Sequence, residues 1–418
     1  MTKKNMLIAQ SGGPSSAINA SIAGAIAMGM ASDEIGEVLG AVNGMQGFLD
    51  KKIINISEQM KTTLDFEKLI HTPAHALGSS RYKIPKGDTS VYEQIVSILK
   101  EYNIGYFFYN GGNDSMDTVN RLAAYLKEIG EEDIVALGIP KTIDNDLENT
   151  DHTPGFGSAA KYVATSIGEV FLDTCVYPVP GITIVEIMGR NAGWLTAASV
   201  LARENGSKAP HLIYLPEVTF DYDDFLRDIR KQMETNQHIV IAVSEGVKLA
   251  DGTYIADTGA AEDMFGHKTL GGVATDLEAL IKSEIDIPKL KTRAIQLSTL
   301  QRAAAHIASA TDLAESYQCG YRAVEAALQG DTAVMITIHR ASDEPYLVRY
   351  DAAPLDTIAN KEKVVPAEWI INGNDVSEEM SAYLRPLVNG EASEIMVAGI
   401  PQFFSFDWNA IVKPEDVK

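Results

Sequence analysis

Basic residues are scarce in this 418-residue chain: 35 Lys and Arg stand against 57 Asp and Glu, a formal net charge of −22. So acidic a surface excludes a nucleic-acid partner, because phosphate backbones select basic faces. The same field opposes small anionic ligands unless a local cluster of Arg and Lys overcomes it. Cysteine is scarcer still. Cys175 and Cys319 are too few for a disulfide framework and carry no metal-ligand spacing. Both sit in or beside apolar stretches, so two buried structural thiols are expected. No run approaches the roughly eighteen apolar residues of a membrane span, which argues against a membrane partner. The start "MTKKNMLIAQ" enters a short strand and not a signal peptide. These absences point to the cytoplasm. Ser/Gly-rich and Pro-rich linkers are missing as well, so the two or three domain-sized units implied by the length should pack closely around a cleft.

Hydrophobic residues make up 45% of the chain and charged residues 22%, enough for a sizeable core. A short β-branched run, a Gly-rich turn and an amphipathic helix recur. "MLIAQ" leads through "SGGPSS" to "AINASIAGAIAMGM", and "IGYFFYN" through "GGNDS" to "MDTVNRLAAYLKEIG". "GITIVEIMG" leads to "RNAGWLTAASVLARENG", and "HIVIAVSEG" is another strand ending in Gly. Strands alternating with helices of this length imply an α/β fold with parallel sheets covered on both faces. Ligands in such sheets sit beyond the carboxyl ends of the strands. All these turns lie there. After Gly157 the loop that follows "DIVALGIP" gives way to a helical stretch, where a change of domain is expected. Beyond Gly330 come strands ("TAVMITIHR", "PYLVRY") and a helix ("SEEMSAYLRPL") without a catalytic motif.

Two of the turns suit an anion. "SGGPSS" (Ser11–Ser16) and "NGGNDS" (Asn110–Ser115) place paired glycines between strand and helix, where backbone N–H groups can face phosphates. Each also has a plainer reading, a tight turn in the first and helix N-caps at Asp114 and Ser115 in the second. The third element is the loop "GIPKTIDNDLENTDHTPGFG", which sets Asp144, Asp146 and Glu148 behind a lysine directly after a buried strand. Phosphoryl transfer needs a carboxylate to take the attacking hydroxyl's proton and another to help hold a divalent metal. Asp144 and Asp146 are two apart, and in an extended segment both would point the same way.

"GGNDS", "PKTIDND", "MGRNAGW", "PE" and "VSEG", in this order, resemble the phosphofructokinase family from about Met6 to about Arg302. The resemblance implies two Rossmann-like domains with the active site in the interdomain cleft. One domain (1–157 plus about 303–375) would bind the donor, and the other (158–302 plus about 376–418) the sugar phosphate. It implies Mg²⁺ and a homodimer or homotetramer. Carried over, Asp144 is the base for the sugar's 1-hydroxyl, and Thr142, Ile143 and Asp144 line the sugar site. Asp146 and Asn113 stand close to the metal. Met188, Gly189 and Arg190 hold the sugar phosphate's body, with Arg190 also neutralising the transferring group. Glu245 accepts from sugar hydroxyls. Arg293 and Arg302, with Thr299 beside them, form the clamp on the sugar's own phosphate. Gly13, Gly112 and Ser115 cradle the donor, and Arg81 reaches it.

Two positions bear on the donor. ATP-using members resemble "GGDGS" and "PGTIDND"; Asp114 and Lys141 stand where they have glycine. A carboxylate there repels a nucleotide's α-phosphate, and the lysine adds a cation for a smaller donor. The pairing resembles the pyrophosphate-dependent branch, implying reversible transfer from pyrophosphate to fructose 6-phosphate in glycolysis or gluconeogenesis. Three rivals remain: an ATP-dependent kinase, a pyrophosphate-dependent sedoheptulose 7-phosphate kinase, and a non-catalytic regulatory subunit. The chain also departs from its relatives. Asn113 replaces a usual Asp, Gly181 replaces an arginine of ATP-using members, and Thr299 replaces their clamp histidine.

Overall fold

The computed structural model describes residues 3–80, 82, 84, 89–255 and 272–417. Two compact units divide the chain: one holds Met1–Ser158, Arg302–Lys361 and Gly390–Lys418, the other Ala159–Gln301 and Glu362–Asn389. Their main strands are β1 (Lys4–Gln10), β2 (Ile35–Ala41), β3 (Ile53–Asn55), β4 (Ile104–Gly111), β5 (Val135–Pro140), β6 (Gly181–Ile187), β7 (Leu212–Tyr214), β8 (His238–Ser244), β9 (Lys291–Gln296), β10 (Val334–Asp343) and β11 (Tyr346–Pro354).

Along β1 every residue after Lys4 is buried. Met6 and Ile8 enter one core with Ile22, Ile26, Cys319 and Val324. Leu7 and Ala9 enter another with Leu39, Ile95, Phe107 and Met116. Side chains alternate faces with period two, so an unbroken apolar run marks a strand covered on both sides. The sheet order in this unit is β11-β10-β5-β4-β1-β2-β3. Its five inner strands run parallel, and β3 and β11 pair antiparallel at the edges. From β1 the chain passes to β2 on one side and later returns to β4 on the other. The loops after β1 and β4 therefore diverge and open a crevice at their carboxyl ends.

The helix Ile18–Ala31 is rich in small residues because it packs against the helix Ala310–Leu328 almost backbone to backbone. A Cβ on Gly24 would lie 1.9 Å from the Tyr317 carbonyl oxygen, and one on Gly320 1.7 Å from that of Ser21. No larger side chain fits either position.

The second unit holds a wholly parallel sheet of order β7-β8-β6-β9. Its core includes Ile182, Ile184, Phe225, Ile229, Ile241, Val243, Leu277 and Ile281. The expected helix after β6 is only Trp194–Ala197, continued as a 3-10 helix over Ala198–Asn205. Trp194, Leu195, Ala197, Ala198, Val200 and Leu201 are all buried. The segment is thus buried all round, without the single apolar face of an amphipathic helix.

Two expectations are corrected. The chain returns to the second unit at Glu362, earlier than about 376, and residues 390–418 group with the first unit. Phe404 N–H donates to Thr72 Oγ1 (2.8 Å), Trp408 Nε1–H to the Ala76 carbonyl (2.9 Å) and Val412 N–H to that of Ile53 (2.8 Å). Cys319 is buried, but Cys175 is exposed. Its apolar neighbours Leu172, Val176 and Tyr177 are exposed too, so an apolar sequence did not mean burial here. Among the described residues no helix is long and apolar enough to cross a membrane.

Candidate active site

In the first unit the site is built at the ends of β1, β4 and β5. Lys141 directly follows β5, and its N–H donates to the Gly111 carbonyl at the end of β4 (2.9 Å). Its side chain turns beneath the loop after β1. It is only 4% exposed, and Nζ donates to the Gly13 carbonyl at 2.7 Å. Gly12 has φ +80°, and a Cβ on it would stand 3.3 Å from Lys141 Nζ, so the turn needs glycine on both counts. Burial lowers the ammonium's pKa to about 8; Asp144 and Asp146 oppose the shift and Arg302 adds to it. Arg302 completes the cluster: its Nη1 lies 3.5 Å from where a Cβ on Gly13 would sit. The arginine expected on the sugar's phosphate thus stands against the turn after β1.

Thr142 and Ile143 are buried, and Asp144 and Asp146 are half-buried. The two carboxylates do not reach Lys141 along an extended strand. Asn145 between them has φ 55° and turns the chain, and its Oδ1 accepts from Thr153 N–H at 3.1 Å. The Asp144 N–H donates to Thr142 Oγ1 (3.1 Å), while Thr153 Oγ1 donates to the Thr142 carbonyl (2.7 Å).

Further along, the loop is clamped by buried charge. Asp312 accepts from the N–H groups of Gly155 (2.8 Å) and Ser158 (2.9 Å). His152 lies between Asp151 (2.7 Å) and Glu315 (2.6 Å). Burial opposes charge on its ring, but those two carboxylates outweigh it and raise the pKa to about 9. The acidic loop is therefore pinned at its far end by residues of the helix Ala310–Leu328.

The second anion turn starts the helix Asn113–Glu128, with Gly112 at its N-cap. Neither Asp114 nor Ser115 is the cap, so the plainer reading fails at both. Ser115 is buried, whereas Asp114 is exposed in the first turn. The Asn113 amide is committed to backbone: Oδ1 accepts from Asn360 N–H (2.6 Å), and Nδ2 donates to the Lys361 carbonyl (2.5 Å). Both ends of the amide expected beside the metal are thus bonded to backbone of the segment Asn360–Lys361. Among the described residues no three His, Cys, Asp or Glu side chains group into a metal cage. Asp146 beside Asp144 still suits Mg²⁺, which takes one or two carboxylates and completes its shell with substrate phosphates and water.

In the second unit, the loops after β6 and β8 brace each other. Ser244 Oγ donates to the Gly189 carbonyl (2.5 Å), and Glu245 Oε1 accepts from Gly189 N–H (3.4 Å). Met188 N–H donates to Gln301 Oε1 (3.0 Å). Arg190 is half-buried, and its Nε has no hydrogen-bond partner among the described residues. Arg293 is not at a strand end. It sits within β9 opposite Thr183 and pairs with Asp173, both side chains about half exposed. Thr299 lies exposed beyond β9. Arg81 falls outside the described residues.

Sequence reasoning missed His75 and Gln301. Burial, with Lys141 and Arg302 nearby, pushes the His75 pKa down to about 3, and its buried Nε2 has no hydrogen-bond partner among the described residues. A neutral imidazole therefore faces the cationic cluster. No motif surrounds it in "HTPAHALGSS"; only the path of the chain brings it there.

Comparison with known proteins identifies what the chain as a whole resembles. The profile of the family described as phosphofructokinase matches residues 5–327. A pyrophosphate–fructose 6-phosphate 1-phosphotransferase of Halomonas elongata is 40% identical over 408 residues, covering 96% of each chain. One from Xanthomonas campestris pv. campestris is 40% identical over 419 residues, covering 99% of this chain and 98% of its own. Among solved structures, the pyrophosphate-dependent phosphofructokinase of Marinobacter aquaeolei superposes with a TM-score of 0.84 at 36% identity, covering 96% of each chain. The likeness extends well past Arg302, where the sequence motifs end.

Proposed function

This chain belongs to the phosphofructokinase family, and we propose that it moves a phosphoryl group reversibly between pyrophosphate and the 1-hydroxyl of fructose 6-phosphate. The observation that carries the donor assignment is the buried Lys141 ammonium bonded to the Gly13 carbonyl. It builds a cation into the floor of the donor turn, at a position where ATP-using members resemble glycine. Asp114, exposed at the start of the helix after β4, sets a carboxylate where a longer nucleotide would run. Like charge then disfavours ATP, while pyrophosphate ends short of it.

In this reading the first unit binds the donor and the second the sugar phosphate. Asp144 takes the proton from the 1-hydroxyl as its oxygen attacks the terminal phosphorus. The bond from that phosphorus to the bridging oxygen breaks, and inorganic phosphate leaves. Lys141, Arg302 and Arg190 offset the charge on the phosphates, and the N–H groups of the two glycine turns orient them. Asp146 would hold Mg²⁺, which supplies further charge neutralisation on the pyrophosphate. Glu245 and the Met188–Arg190 loop orient the sugar.

Two features support the remaining assignments. Leu172, Val176 and Tyr177 form an exposed apolar group on the second unit, suited to a homo-oligomer. Two unpaired cysteines suit the reducing cytoplasm. Phosphorus NMR tests the reaction directly. Fructose 1,6-bisphosphate with inorganic phosphate and Mg²⁺ should yield a pyrophosphate resonance. No such signal at any enzyme concentration, with the forward reaction also absent, removes the reading.

A further inference from the structure

The short segment from Asn360 to Val365 carries the chain out of the first unit and into the second. It is held at both ends by residues adjoining the functional loops. In the first unit Asn113 grips the N–H of Asn360 and the carbonyl of Lys361 (2.6 and 2.5 Å), and Asn360 Nδ2 donates to Asp117 Oδ1 (2.8 Å). In the second unit Asn191, the residue after Arg190, donates from Nδ2 to Glu362 Oε1 (2.8 Å). Trp194 Nε1–H donates to the Lys363 carbonyl (2.9 Å). Glu217 Oε1 accepts from the N–H groups of Gly193 (2.8 Å) and Val365 (3.0 Å).

The identity of residue 113 matters here. The bond to the Lys361 carbonyl requires a donor, and the bond from Asn360 N–H requires an acceptor. An amide supplies both; a carboxylate would turn a second acceptor on the carbonyl and lose one bond. Asn113 thereby makes a two-point grip on the chain's own backbone.

Building on the pyrophosphate and sugar-phosphate reading above, we infer that Asn113 is a positioning residue and that residues 360–365 are a strap coupling the donor turn to the loop carrying Arg190. Ordering of the Gly111–Ser115 turn by a diphosphate fixes Asn113, which fixes Asn360 and Lys361. The next residues, Glu362 to Val365, then hold Asn191, Trp194 and, through Glu217, Gly193. Coupling of this kind is reciprocal: a diphosphate tightens sugar-phosphate binding by the factor by which the sugar phosphate tightens the diphosphate.

The test is equilibrium binding without turnover. Fructose 6-phosphate is titrated calorimetrically into the full chain with Mg²⁺, with and without methylenediphosphonate, which cannot transfer its phosphoryl group. The native protein should bind the sugar phosphate at least about fivefold more tightly with the diphosphonate present, the low end of typical coupling. Asn113→Asp and Glu362→Ala should each bring that ratio close to one, with intact thermal melts and each ligand still bound alone. Glu362→Gln, which keeps the acceptor for Asn191, should restore the ratio. If Asn113→Asp leaves the ratio untouched and lowers the Mg²⁺ needed for turnover, Asn113 is a metal neighbour and the strap is refuted. An unaltered ratio in Glu362→Ala refutes it independently, even if Asn113→Asp fails to fold. A native protein that binds neither probe would instead overturn the functional reading on which the inference rests.

Discussion

Replacing Lys141 with glutamine isolates the charge that the donor assignment depends on. The amide can still donate toward the Gly13 carbonyl, which Nζ now meets at 2.7 Å, so the turn keeps its shape while the cation is lost. Removing one side of a buried charge-assisted contact costs about 2–5 kcal/mol. Arg302 remains beside Gly13 and shares the load, so the low end applies, and about 2 kcal/mol corresponds to roughly a 30-fold loss in kcat/KM for pyrophosphate. The KM for fructose 6-phosphate should stay within a fewfold of native. The pH profile separates charge from shape. The native ammonium titrates near 8 and is charged below that value. Log kcat/KM for pyrophosphate should therefore bend downward above about pH 8 in the native enzyme. In Lys141→Gln that bend should vanish, leaving a lower and flatter profile. Steady-state kinetics from pH 6.5 to 9.5 read both quantities. An unchanged alkaline bend in the variant, or a loss falling equally on both substrates, would refute the reasoning.

Asp144→Asn keeps the size of the proposed base without its proton affinity, so kcat should fall by on the order of 10²–10⁴-fold with little change in sugar KM; stopped assays of both variants check that Asp146→Asn does not carry the larger loss instead. Arg302→Ala should raise the KM for pyrophosphate at least about tenfold, since its guanidinium flanks Gly13 and buried charge-assisted bonds are costly to lose. An effect confined to the sugar would return Arg302 to the sugar clamp. His152 has its pKa raised to about 9 by Asp151 and Glu315 against burial. Its contribution to stability is full below about pH 6.5, the unfolded value, and is lost as pH rises through about 9. Calorimetric melts at pH 6 and 9.5 should differ in the native protein, and His152→Gln should narrow the difference.

The parts of the site that could be read from the sequence are those written contiguously at strand ends. "SGGPSS", "GGNDS" and "PKTIDND" each follow a β-branched run, so their nearness follows once the sheet is parallel. The paired carboxylates were found for a reason that did not hold, since Asn145 turns the chain between them. His75 could not be found, because it reaches the cluster from a stretch with no period and no motif. Arg302 was assigned by its motif, yet its guanidinium is placed by the return of the chain into the first unit. The use of Asn113 was hidden for the same reason: its partners, Asn360 and Lys361, lie more than two hundred residues away. Cys175 misled because its apolar neighbours in sequence are themselves exposed.

The central claim is the choice of phosphoryl donor, and one coupled assay tests it most directly. Purified protein, Mg²⁺ and fructose 6-phosphate are supplied with pyrophosphate or ATP over matched concentrations, and fructose 1,6-bisphosphate is measured. The account predicts turnover with pyrophosphate, little or none with ATP, and measurable ATP use in Asp114→Gly. Comparable native kcat/KM for the two donors would contradict it.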